Sequence, residues 1–421
     1  MKKRIINILA VFLILQPYFI FSQENEKPTE PAEVQSTTET KEKIADSYFT
    51  GDWGGIRQSM VDKGVTFEMA YISETVYNLG GGISKGYASL GNLDVTLDLD
   101  FDKLAGVSGL QIFLYGLGGH GMAPTDFVGD AQATSNIETG QDYFKLYEAW
   151  FQYSFLEDKL AILAGLHDLN SEFYANDPAG LFLNSSMGIG TEFAQAGPSI
   201  FPMASPALRL LIKPTETFYF SAAAYNATTS DPNDPDTIKT YADFKFKNGA
   251  LVIAETGLYS EENYKLALGF WTYTDKVESF KEDSITGDPV KESGYGFYLL
   301  SDKSFGDISL FFRAGMANAK AFQFSYNIMP GIVFSGNLWG RSDDSFGIGA
   351  STIITSKEYK NEMNAASTNV DSHETALEFT YKIQATPWVA IQPDLQYVIN
   401  PSADPQLKNT LATALRVELV F

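Results

Sequence analysis

Leu93-Asp94-Val95-Thr96-Leu97-Asp98-Leu99-Asp100-Phe101 sets every odd residue apolar and every even residue polar. That is the two-residue period of a strand whose two faces meet unlike surroundings. Leu415-Arg416-Val417-Glu418-Leu419-Val420-Phe421 nearly repeats it, and in Thr375 to Ile383 the residues Leu377, Phe379, Tyr381 and Ile383 oppose Glu378, Thr380 and Lys382. Leu208, Leu210 and Ile212 alternate with Arg209 and Lys213, as Ile308, Leu310 and Phe312 do with Ser309 and Arg313. Noisier runs begin near Val65, Leu110, Lys145, Lys159, Thr217, Tyr241, Tyr264, Tyr295, Ile328, Ser345 and Trp388. The total is about 16 strands at roughly 23 residues each, an even number of porin size.

A water-soluble β-sandwich alternates in the same way, so three further features decide. Aromatics gather at strand ends (Tyr71, Phe101, Tyr153, Phe155, Tyr273, Phe311, Phe312, Tyr397), where interfacial girdles lie. Short turns alternate with long connections, notably 117–143, 167–205, 274–294 and 354–373, as periplasmic turns and external loops do. Asp94, Asp98, Arg209, Arg313 and Arg416 stand mid-strand on one face, tolerable toward a wet lumen and costly toward lipid. The expected fold is all-β: a transmembrane antiparallel β-barrel over 46–421, with a short helix before the first strand.

The ends and the composition agree with export. Met1-Lys2-Lys3-Arg4, an apolar run from Ile5 to Phe21 and a polar start after Ser22 describe a signal peptide over 1–22. Residues 23–45 contain almost nothing apolar and are expected to form a disordered periplasmic lead-in. With the leader's three basic residues gone, the net charge of −22 becomes about −25, which argues against nucleic acid as a partner. The chain has no cysteine, hence no disulfide framework. No apolar stretch after residue 22 is long enough to cross a membrane as a helix. Phe421 closes the apolar face of the last strand, and outer-membrane barrels commonly end so; recognition of that strand by the barrel-assembly machinery follows.

Tyr48-Phe49-Thr50-Gly51-Asp52-Trp53-Gly54-Gly55-Ile56-Arg57, then Gly64-Val65-Thr66-Phe67, resembles the opening signature of the OprB-type carbohydrate-selective porins. Gly165-Leu166-His167-Asp168-Leu169-Asn170-Ser171-Glu172-Phe173 and Phe182-Leu183-Asn184-Ser185-Ser186 are similar to that family's long loop after the fifth strand. Ile391-Gln392-Pro393-Asp394-Leu395-Gln396-Tyr397-Val398-Ile399-Asn400-Pro401 resembles its QPDLQY-x-x-NP strand. A basic residue or glutamine is more usual at His167, and the lead-in is longer than the family's. The resemblance implies a 16-stranded outer-membrane barrel for facilitated diffusion of small sugars, without a cofactor. Read from the residues alone, Thr50 or Asp52 caps a short helix that Gly64 ends, a structural cap on the periplasmic rim.

Several motifs carry no chemistry here. Gly82-Ile83-Ser84-Lys85-Gly86 spells the hydrolase elbow but sits in a turn between strands, with no helix after it. Gly116-Leu117-Gly118-Gly119-His120-Gly121 lacks the helix a pyrophosphate needs, and reads as a loop. His120, His167 and His373 are far apart and expected in loops, without metal-ligand spacing. Asp231 to Asp236 offers hard oxygens to calcium but reads more simply as a solvated external loop.

Function is expected in the lumen. On the strand from Lys145, Glu148, Trp150 and Gln152 share one parity and Tyr147, Ala149, Phe151 and Tyr153 the other. An inward Trp150 beside a carboxylate suits a sugar, which has an apolar ring face and a hydroxyl rim. The plainer reading is that Trp150 fills space or joins a girdle. The substrate-path candidates are Glu148, Trp150, Asp168, Glu172, Asn184, Arg209 and Arg313, with the 167–205 loop as the constriction and no catalytic or metal residue. The rivals are a general cation-preferring porin, an outer-membrane hydrolase lacking any visible nucleophile–base pair, and a secreted carbohydrate-binding β-sandwich.

Overall fold

The computed structural model describes residues 46–260, 263–283 and 285–421. The expected signal peptide and lead-in lie outside the described residues. Sixteen strands follow one another: β1 (Val65–Gly82), β2 (Gly86–Asp100), β3 (Leu110–Gly121), β4 (Tyr143–Phe155), β5 (Leu160–His167), β6 (Ser205–Thr215), β7 (Phe218–Asn226) and β8 (Ala250–Ser260). Then come β9 (Tyr264–Glu282), β10 (Pro289–Phe305), β11 (Ile308–Ala317), β12 (Phe324–Ser335), β13 (Ser345–Thr355), β14 (His373–Thr386), β15 (Val389–Ile399) and β16 (Lys408–Val420). Each pairs antiparallel with the next, and β16 returns to β1 to close the barrel. Closure satisfies every ladder and leaves no open edge in the bilayer, which lipid demands. Across the closing seam Tyr71 faces Leu419 and Glu74 faces Arg416, and those two side chains form a buried ion pair at 2.5 Å.

Alternation sorts the faces. Leu208, Leu268, Phe312, Phe379, Leu395 and Leu415 are exposed on the outside, where lipid covers them, while Arg209, Arg313, Glu378, Asp394, Gln396 and Arg416 are buried inside. On β4 a bulge breaks the parity: Tyr115 pairs with Glu148 but Gly116 with Leu146, so Tyr147 also turns inward. Tyr147 is therefore lumenal rather than outward, because one extra residue flips every side chain beyond it. Tyr273 and Phe311 are not girdle residues either. Both are buried inside, Phe311 against Phe182 and Tyr273 against Trp271.

At one end the connections are short, as between β4 and β5 or β6 and β7; at the other they include 122–142, 168–204, 227–249 and 356–372. The connection expected over 274–294 is instead hairpin: β9 runs to Glu282 and β10 starts at Pro289. The strand expected near Tyr241 begins at Ala250, after a proline- and aspartate-rich loop that offers no alternating run. The Gly116–Gly121 segment is strand, not loop, since glycine in a lumen crowded by Tyr143 needs no side chain. His120 lies in β3, His167 closes β5 and His373 opens β14, so all three histidines sit in strands.

Before β1, a 3-10 turn (Trp53–Gly55) leads into helix α1 (Ile56–Asp62). Gly55, not Thr50 or Asp52, stands at the N-cap position, while Asp52 Oδ1 reaches in from the preceding turn to accept the Gln58 amide at 2.8 Å. Gly64 ends the helix at φ 86°, where a Cβ would sit 2.5 Å from Asp100 O. Arg57 lies between the Tyr48 and Trp53 rings (3.7 and 4.2 Å) and donates to Phe67 O and Phe421 O, strapping the β1–β16 seam at the short-turn rim.

Candidate functional site

The lumen is not an open tube. Two loops from the long-loop end fold into it, 122–142 and 168–204, and inward carboxylates of the wall receive their backbone. Glu148 on β4 accepts the Asp168 amide (3.0 Å) and Glu255 on β8 the Tyr174 amide (3.0 Å). Glu378 on β14 accepts Leu183 and Asn184 (2.5 and 3.2 Å), and Glu374 accepts Ala131 and Gln132 (2.8 and 3.1 Å). Tyr219 and Tyr298 donate to the same Glu255, at 2.5 and 2.7 Å. An irregular loop buried at membrane depth is tolerable only when its amides are satisfied this way.

Apolar packing completes the anchoring. Phe193 stacks on Trp271 at 4.4 Å, Tyr174 packs tilted against Tyr298 at 4.1 Å, and Phe182 meets Phe311 at 5.5 Å. The wall makes room with Gly315: a Cβ there would lie 1.8 Å from Glu192 Oε1 and 2.0 Å from Tyr174 OH. The two loops also bond each other, Asn136 N to Leu183 O (2.7 Å) and Ser185 N to Ala133 O (2.9 Å).

Five of the seven candidates meet where the 168–204 loop leaves β5. Arg209 on β6 donates through Nη2 to Glu172 Oε1 (2.5 Å) and Gln152 Oε1 (2.6 Å). His167 Nε2 lies 3.9 Å from the same Glu172 oxygen, and its Nδ1 is 2.8 Å from Tyr225 OH. Trp150 is 3% exposed, gives its Nε1–H to Glu148 (3.2 Å) and stacks on Phe113 at 5.0 Å. Arg209 is 1% exposed whereas the Glu172 side chain keeps 19%, so Glu172 is the more accessible member of the pair. Asp168 caps the turn that follows, accepting the Asn170 amide at 3.0 Å.

The other two candidates lie apart. Arg313 on β11 is fully buried beneath the loop and donates to the carbonyls of Tyr174 (3.0 Å), Gly188 (2.7 Å) and Ser186. Asn184 donates to Gln396 Oε1 at 3.1 Å. Both hold the loop rather than face the path. The anchors Glu255, Glu374, Glu378 and Gln396 are absent from the sequence-based candidates; their inward parity is legible, but the amides they receive are not.

Electrostatics divide the loop. Burial alone would raise the Glu172 carboxyl, yet the Arg209 guanidinium and His167 outweigh it and hold it below the usual range. Asp168 has no such cation, and burial pushes it up to about 7. Glu138, in the 122–142 loop, is pushed to about 8 by burial and by Asp130 beside it. Among the described residues no cluster of His, Asp or Glu has the geometry of a metal site.

Residues 84–421 match the family model described as carbohydrate-selective porin, OprB family. The chain is 23% identical to Porin B of Pseudomonas aeruginosa, over 89% of this chain and 91% of that one. It is 21% identical to the putative porin QuiX of Acinetobacter baylyi, over 89% and 93%. Its fold is similar to the high-pH structure of Pseudomonas putida OprB, with a TM-score of 0.79 and 21% identity over 90% of this chain and 99% of that one. A closed 16-stranded barrel with a loop tied inside it, and a family model spanning β2 to β16, make the chain a member of the OprB family of carbohydrate-selective porins, a sugar channel of the outer membrane.

Proposed function

We propose that the protein passes mono- and small oligosaccharides by passive diffusion, and that the 168–204 loop sets which solutes cross. The observation that carries this is the Glu172–Arg209 pair, which joins the inward loop to the wall and leaves the Glu172 side chain partly exposed. A carboxylate fixed against a guanidinium orders the water beside it. A polyhydroxylated solute replaces those water hydrogen bonds as it passes, and an apolar solute of the same size does not. Glu148, which accepts the Trp150 indole N–H, ties the start of the loop to the wall through the Asp168 amide, while Arg313 and Asn184 keep the loop's far arm in place. Diffusion through such a path needs no cofactor and no catalytic step.

The exported chain would reach the outer membrane through its signal peptide over 1–22, with Phe421 as the handle for the assembly machinery and lipid around the apolar outer face. Proteoliposome uptake tests the function. Pentoses, hexoses and disaccharides should enter faster than zwitterionic or cationic solutes of equal size. Uptake that follows size and positive charge alone would make this a general cation-preferring porin.

A further inference from the structure

The long-loop end of the barrel holds a second recess, outside the constriction. The wall is notched there, because β4–β5 pairing stops at Ala149↔Leu166 and leaves β4 residues 143–148 standing above their neighbour. The 227–249 loop leans across that notch. Thr240 Oγ1 donates to Leu146 O at 2.5 Å, and Lys145 Nζ to Ile238 O at 2.8 Å. Lys145 is buried, with its ammonium 5.7 and 5.9 Å from the Tyr143 and Tyr147 ring centres. An ammonium held by a carbonyl and aromatic faces works as a latch on the loop.

Beside the latch is an open recess of about 310 Å³. Glu138 and Gln141 come from the 122–142 loop, Pro202 and Met203 from the end of the 168–204 loop, and Ser230 and Thr237 from the 227–249 loop. Three apolar residues, Pro202, Met203 and Ile238, and a ring of carboxyl, amide and hydroxyl groups match the two faces of a pyranose, a C–H face and a hydroxyl rim. The volume is at the small end of ligand pockets and admits one ring with a few waters.

We propose that this recess is an outer binding site for a single sugar ring, filled before the constriction is reached and closed by the 227–249 loop. It rests on the sugar-channel reading and adds to it a site on one side only. Sugar offered at the long-loop side therefore meets two sites in series, and sugar offered at the short-turn side meets the constriction first.

The test is block of ion current in planar bilayers by glucose added to one side at a time. The double variant Ser230→Ala/Thr237→Val removes two hydroxyls from the loop, and Lys145→Met removes the latch while keeping its bulk. Each should raise the half-blocking concentration from the long-loop side by about fivefold, the worth of one ordinary hydrogen bond. From the opposite side the block should not move, and sugar-free conductance should stay as in the parent. Glu172→Gln should weaken block from both sides. If Glu172→Gln acts and the recess variants match the parent from the long-loop side, the outer site is overturned alone. If none of the three changes the block, the constriction reading falls with it.

Discussion

The 168–204 loop and the β9–β10 hairpin leave the barrel at the same end and go opposite ways. The loop turns into the lumen; the hairpin keeps its strand pairing past Tyr273 and Tyr295, where β8 and β11 have already stopped, and stands clear of the wall. Composition explains part of this. The loop brings Leu169, Phe173, Tyr174, Phe182, Met187 and Phe193, all buried. Residues 274–294 bring only Val277, Phe280, Ile285 and Val290 among many charges, and Ile285 is almost fully exposed. The wall explains the rest. Inward carboxylates Glu148, Glu255 and Glu378 take the loop's amides, whereas the hairpin satisfies its own backbone and needs no host. A connection enters a pore when the wall supplies acceptors for it and its own side chains supply apolar area.

Matched truncations should separate the two regions most sharply. Phe193→Ala removes a ring stacked on Trp271 and should cost about 3–5 kcal/mol, read as a lower temperature for loss of the folded band on unboiled gels. Phe280→Ala, which loses only an edge contact with Tyr359, should cost less than about 1 kcal/mol. Equal shifts in the two would break the comparison. Glu378→Ala should come next, since it orphans the Leu183 and Asn184 amides at about 1–3 kcal/mol each. Its single-channel trace should show a larger and noisier conductance as the loop loosens.

The smallest effect is that of pH. Asp168 and Glu138 carry raised values of about 7 and 8, so they favour the fold when protonated, and that contribution fades as pH rises through those values. Glu172 is depressed, so its contribution is present at neutral pH and is lost only on acidification below the ordinary carboxylate range. Asp283, at the hairpin tip, is likewise depressed, by the amides of Ile285 and Thr286. Between pH 9 and 6 the loops therefore lose negative charge while the Glu172–Arg209 contact and the hairpin keep theirs. Reversal potentials in a salt gradient should move toward weaker cation preference over that range. A constant potential would contradict the burial of those two carboxyls.

The barrel was legible in the residues because lipid and water impose their period on every strand. Sixteen alternating runs correspond to sixteen strands, and only the run near Tyr241 starts well outside its strand. Bulges are where parity fails: nothing in Tyr147-Glu148 announces that both side chains point inward. The site was less legible. Glu148 and Arg313 stand on the inward face by alternation, but alternation does not say whether an inward charge meets solvent or a folded loop. Arg313 ends beneath three carbonyls because the 168–204 loop crosses β11, a long-range contact with no local pattern. The hairpin reads as a loop because its residues are mostly charged or polar without a two-residue period, with no lipid to select apolar ones on one face.

Glucose block of the ion current is the direct measure of whether the inward loop selects the solute. It should be compared in Glu172→Gln, in Arg209→Gln and in Glu278→Gln on the projecting hairpin. Block should be weakened about fivefold or more in the first two, with folded barrels still formed, and stay at the parent level in the third. The same block in all three channels would place the constriction elsewhere and contradict the role given to the 168–204 loop.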